Sequence, residues 1–143
     1  MGQARHIVEQ WWSLFEADRL EDTAEICQSD VEVILPGVGG LRGPAEAIAT
    51  LQAFREAFPN IRHQFLDSIE SGDKVAVELE VTGTHIGTFR TPQGDVPATG
   101  RSVVWDSTDF VTLRDGKIAS WHTYFDQLAF LAQLGLLPEP AAI

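Results

Sequence analysis

The feature that most constrains this chain is a change of period near residue 60. Before it, apolar residues recur at helical spacing: Ile7, Trp11, Leu14 and Phe15 share one stripe with Val8 and Trp12 beside it, and Ile48, Leu51, Phe54 and Phe58 form a second stripe. After it the period is two, clearest in Val75, Val77, Leu79 and Val81, whose intervening residues Glu78, Glu80 and Thr82 are polar. Helices followed by a run of antiparallel strands predict an α+β fold, with the N-terminal helices packed on one face of a curved, mostly antiparallel sheet.

Punctuation sets the element limits. A helix is expected over residues 4–17, a shorter one over Leu20–Cys27, a strand over Val31–Leu35 and a loop over Pro36–Gly40. Pro44 suits the first turn of a third helix, which Pro59 stops. Strands follow at 61–70, from Val75, at Arg101–Leu113 and at Lys117–Asp126, and Gln127–Leu134 closes the fold as a helix. Gly87–Gly100 reads as a long loop with the character of a functional lid.

At 143 residues the chain is expected to form one domain, 1–143. Its net charge of -11, with ten Lys and Arg scattered singly, disfavours nucleic acid and anionic membranes, because neutralising phosphates takes clustered cations. No apolar run approaches the ~20 residues of a membrane span, and Met1–His6 lead into a helix without a secretory signal, so a cytoplasmic location is expected. The single cysteine, Cys27, permits no internal disulfide and reads as a small apolar residue. No His, Asp, Glu or Cys set has metal-ligand spacing, and neither a phosphate loop nor a Gly-x-Ser-x-Gly elbow is present, so no metal and no cofactor are expected.

The candidate chemistry lies near the end. A two-residue turn at Asp115-Gly116 would pair Asp109 with His122, Ser107 with Tyr124 and Trp105 with Asp126, gathering all six on one face over a pocket floor. Phe110, Trp121, Phe125 and Val104 would then share the other face. Asp126, a carboxylate leaving an aromatic strand, is the first candidate for acid/base work, since burial raises a carboxyl pKa. It equally suits the N-cap of the closing helix. Asp109 and His122 read as a cross-strand pair, either a proton-transfer dyad or a structural hydrogen bond, and His85 ends the central strand where it can face a cavity mouth or solvent. His63 and Phe65 share a strand face with Asp67 by period two; with Trp12, Phe54, Trp105 and Tyr124 they are the candidate substrate-binding residues.

The ordered set Leu41-Arg42-Gly43-Pro44, Ala57-Phe58-Pro59-Asn60, Thr82-Gly83-Thr84-His85-Ile86-Gly87, Thr99-Gly100-Arg101, Asp115-Gly116-Lys117-Ile118 and Asp126 before Gln133-Leu134-Gly135 resembles the SnoaL-like polyketide cyclase family over essentially the whole chain. That resemblance implies the cone-shaped α+β roll of the nuclear-transport-factor-2-like superfamily, shared with ketosteroid isomerase and limonene epoxide hydrolase. It also implies a deep apolar cavity and a homodimer. The activity implied is an aspartate acting as acid/base on a hydrophobic, polyketide-like carbonyl compound in an aldol closure or isomerisation, without cofactor, and the family's aspartate falls on Asp126. Where some members carry a histidine, an asparagine and a tyrosine, this chain has Thr112, Thr50 and Trp12. Epoxide hydrolysis, cofactor-free hydroxylation and noncatalytic binding of a small hydrophobic molecule are the alternative readings. The outer sheet face with Phe110, Trp121 and Phe125 is too apolar to leave in water and is where the implied dimer is expected to form.

Overall fold

The computed structural model describes residues 2–137, so the expected domain 1–143 reaches past the description at both ends. Helix α1 (Gln3–Glu16) buries Ala4, Ile7, Val8, Trp11, Trp12 and Phe15, the stripe the periodicity predicted. The expected second helix is a 3₁₀ segment, Leu20–Ile26. Strand β1 (Cys27–Leu35) starts four residues early, and the expected loop after it turns into β2 (Gly39–Arg42). Helix α2 (Pro44–Ala57) opens on its proline.

Strands β3 (Arg62–Ser71), β4 (Lys74–Thr84), β7 (Ser102–Arg114) and β8 (Lys117–Phe125) complete a six-stranded sheet in the order β2-β1-β8-β7-β4-β3, in which β1 and β8 are the parallel pair. The segment 87–100 contains a small separate hairpin, β5 (Phe89–Thr91) with β6 (Gly94–Val96). Its entry is fixed by a close approach: Gly87 donates its N–H to the Ala57 carbonyl at 3.1 Å, and a Cβ there would lie 2.1 Å from the Glu56 carbonyl oxygen. Helix α3 (Gln127–Gln133) closes the described chain.

The sheet curves around α1 and α2, and the core fills its concave side. Val75, Val77, Leu79 and Val81 of β4 are all buried there, and Trp11 stacks on Trp121 of β8 at 4.7 Å between centroids. Burying an indole removes ~150 to 250 Å² from water, on the order of 4 to 6 kcal/mol at 25 cal/mol/Å². This is the α+β roll expected from the sequence.

One detail of the sheet overturns the expected pairing. The turn at Asp115-Gly116 has positive φ at both residues, as a type I′ hairpin requires, and sets Leu113 opposite Ile118 as predicted. Beyond that pair Thr112 meets Ser120 rather than Ala119, so Ala119 is the extra residue of a β-bulge. Every later pair is displaced by one: Asp109 faces Thr123, and His122 faces Phe110. A one-residue slip exchanges the two faces of a strand. His122 and Tyr124 therefore join Phe110 and Val104 outside, while Trp121, Thr123 and Phe125 join Trp105, Ser107 and Asp109 inside. A second bulge at Leu66 turns Asp67 outward and leaves His63 and Phe65 facing in.

Candidate active site

Two cavities lie against the concave face. The inner one, about 50 Å³, is walled by side chains that include Trp12 and Phe15 of α1, Phe54 of α2, His63 of β3, Trp105 of β7 and Thr123 of β8. The outer one, about 580 Å³, opens between α2, the β5–β6 hairpin and α3. Phe54 and Phe125 line both, so they stand between the chambers. The inner space holds only a few water molecules at ~10 to 15 Å³ each.

Asp109 sits beneath the inner chamber, wholly buried. Trp12 Nε1 donates to its Oδ2 at 2.7 Å and the Thr123 hydroxyl donates to its Oδ1 at 2.9 Å. The Thr123 oxygen accepts in turn from Trp121 Nε1 at 3.1 Å. Burial pushes the Asp109 carboxyl up to about 6, and the donors Trp12, Thr123 and Trp121 hold it from rising further. Thr123 also lines the chamber, so the residue bonded to the buried carboxyl is itself part of the chamber wall.

His63 faces the same chamber from the far side of Trp12. Its ring lies on the Trp12 ring at 3.9 Å and 19°, with the Phe15 edge 5.5 Å away. Glu16, four residues after Trp12 on the same helix face, accepts from His63 Nδ1 at 3.0 Å and from the His63 backbone N–H at 2.9 Å. Arg62 stands 3.8 Å from the other Glu16 oxygen. Although burial works to raise it, the Glu16 carboxyl is held below its ordinary value by His63 and Arg62. Burial lowers the His63 pKa and outweighs the carboxylate beside it. The result is a neutral imidazole facing an ionised Glu16, which accepts only; Nδ1 therefore carries the proton and Nε2 keeps its lone pair.

The other expected site residues are placed as follows. Asp126 is exposed on α3's N-terminus, where its carboxylate accepts the Ala129 N–H at 3.0 Å, so the expectation that it faces a pocket is corrected: the strand turns outward at its end and the cap claims the side chain. His122 lies on the outer face, where Nε2 meets Glu32 at 2.8 Å and Nδ1 meets the exposed Tyr124 hydroxyl at 3.5 Å; the Ala119 bulge separates both from Asp109. His85 is buried against Phe58, its Nδ1 accepting the Thr99 N–H at 3.2 Å, and it lines neither chamber. Phe65 lies half-buried under the Arg5 guanidinium, outside the chambers. Trp12, Phe54, His63 and Trp105 do line the inner chamber. Thr123, which lines the chamber, and Glu16, which bonds His63, were not among the expected site residues. The i, i+4 spacing of Trp12 and Glu16 was a readable signal for the second, whereas Thr123 depends on the bulge.

Among the described residues no group of three His, Cys, Asp or Glu is placed to hold a metal ion, and no helix is long and apolar enough to cross a membrane. Burial pushes the Cys27 thiol up to about 12, so it is a packing residue.

A family model described as SnoaL-like polyketide cyclase matches residues 5–134. Among solved structures, a candidate SnoaL-like polyketide cyclase of Jannaschia sp. CCS1 superposes with TM-score 0.83 at 23% identity, covering 95% of this chain and 94% of its own. IdmH, a candidate polyketide cyclase of Streptomyces antibioticus, gives 0.77 at 27% identity over 94% and 99% of the two chains. AclR, a candidate hydroxylase of Streptomyces galilaeus, gives 0.78 at 20% over 95% and 87%. No curated protein matches the chain.

Proposed function

The chain belongs to the SnoaL-like polyketide cyclase family, and from that premise we propose that it is an acid/base enzyme acting without cofactor on a hydrophobic, polyketide-like carbonyl compound, by aldol cyclisation or isomerisation. Asp109, rather than Asp126, is the aspartate that carries the proton. The observation that supports this is the burial of Asp109, with a pKa near 6, hydrogen-bonded to the hydroxyl of Thr123, a residue that lines the apolar chamber. A carboxyl group poised near neutral pH is suited to general acid/base work. When Asp109 is protonated it donates to Thr123, whose own proton is then free to point into the chamber. A carbonyl oxygen placed there takes the Thr123 proton as Thr123 takes that of Asp109. Trp12 remains to hold the carboxylate formed. The outer chamber receives the rest of the molecule.

The test is hydrogen exchange at C1 of 2-tetralone, a bicyclic aromatic ketone, followed by proton NMR in D2O. The wild-type protein should accelerate exchange over buffer and Asp109→Asn should remove the acceleration. One observation favours a second reading, a noncatalytic holder of an apolar ligand: Asp126 is turned outward as a helix cap. Binding of 2-tetralone with no acceleration would select it. We also propose a homodimer through the outer sheet face, where Ile69, Val104, Phe110 and Tyr124 are exposed.

A further inference from the structure

Resting on that acid/base reading, we propose that His63 is a second catalytic residue, the base that takes the carbon-bound proton at Nε2, and that Glu16 is its positioning residue. The acid assigned to Asp109 serves the substrate oxygen. An enolisation also needs an acceptor for the proton on carbon, and a hydroxyl relay is a poor one, because Thr123 would have to meet a C–H bond as an alkoxide. His63 is placed for it. Its Nδ1 is committed to Glu16, its ring is fixed by the Trp12 face and the Phe15 edge, and Nε2 has no protein partner among the described residues while the side chain lines the chamber. Nucleophile, base or acid activated by a third orienting group is the recurring arrangement of proton-transfer sites.

The step balances. The substrate α-C–H bond breaks and its proton forms Nε2–H of an imidazolium; the electron pair becomes the enol double bond as the carbonyl oxygen takes the Thr123 proton and Asp109 is left as carboxylate. The imidazolium is stabilised by ionised Glu16 and by the indole face it lies on. In an aldol closure the enol carbon bonds a second carbonyl carbon, whose oxygen takes the Nε2 proton, and the enol O–H proton returns through Thr123 to Asp109. In an isomerisation Nε2 returns its proton to a different carbon. Trp12 joins the two ends: its ring supports His63 and its N–H supports Asp109. The charged groups at His63 are Glu16 from α1, which favours the imidazolium, and Arg62 from its own strand, which opposes it.

The experiment measures 2-tetralone exchange against pH for the wild type, H63Q, E16Q, E16D and D109N, each checked for folding by circular dichroism. H63Q should lose on the order of 100-fold or more, the scale of one positioned acid/base group. Glu16→Gln removes a charge that raises the imidazole pKa, so its low-pH limb should move to lower pH with a reduced plateau, and E16D should restore both in part. A structural role for Glu16 would lower the amount of folded protein without moving the limb. If D109N abolishes exchange while H63Q retains the wild-type rate and E16Q the wild-type profile, the inference falls and the acid/base reading stands. If the wild type gives no acceleration, the acid/base reading falls and takes the inference with it.

Discussion

Trp12 donates its indole N–H to Asp109 Oδ2 at 2.7 Å, joining the first helix to a carboxyl on the seventh strand that has no exposure to solvent. Replacing Trp12 by Phe keeps an aromatic ring and deletes the donor. With one fewer hydrogen bond on the charged form, the Asp109 pKa should move above 6, and stability at pH 8 should fall by ~1 to 3 kcal/mol. Carboxyl 13C titration of the variant beside the wild type checks the direction.

Asp109 should also leave a mark on stability against pH. Its folded pKa, about 6, lies above the unfolded value, so the folded state binds the proton more tightly. Its favourable contribution is present in full below pH ~3.9 and is lost as pH rises to about 6, a difference of about 3 kcal/mol. Urea unfolding from pH 3.5 to 8 should show the wild type losing this stability relative to Asp109→Asn. Parallel curves would contradict the buried, raised carboxyl.

Thr123 is the connection between carboxyl and chamber. Thr123→Val preserves its shape and removes the hydroxyl, so 2-tetralone exchange should drop about 100-fold, the scale for losing one preorganised donor, while Thr123→Ser should keep most of the rate.

The outer face gives a prediction on assembly. Phe110→Glu places a charge among the exposed set Ile69, Val104, Phe110 and Tyr124, at a position that lines neither chamber. Light scattering should show a dimer for the wild type and a monomer for this variant, with 2-tetralone binding retained. A wild-type monomer would contradict the proposed contact.

Most of the fold was legible because both periods are strong. The α1 stripe and the β4 alternation each name their buried face, and Pro44 and the Asp115-Gly116 turn mark their boundaries. What sequence could not supply was the bulge at Ala119. Alternation carries register only until an extra residue enters, and nothing in the run Ile118-Ala119-Ser120-Trp121 marks where that happens. The expected pocket face therefore held Asp109 correctly and exchanged Thr123 for His122. Asp126 was misplaced for a different reason: its two roles, cap and acid, call for the same residue type, and only the chain direction after Phe125 separates them. Conversely, His63, Trp12, Phe54 and Trp105 were found because aromatic residues on an inward face meet whatever cavity that face encloses.

The measurement that bears most directly on the account compares Asp109→Asn with Asp126→Asn in the 2-tetralone exchange assay. Asparagine caps a helix about as well as aspartate, so Asp126→Asn should keep both its stability and the wild-type exchange rate, whereas Asp109→Asn should exchange no faster than buffer. Loss of exchange in Asp126→Asn, with the rate retained in Asp109→Asn, would contradict the assignment of the buried aspartate.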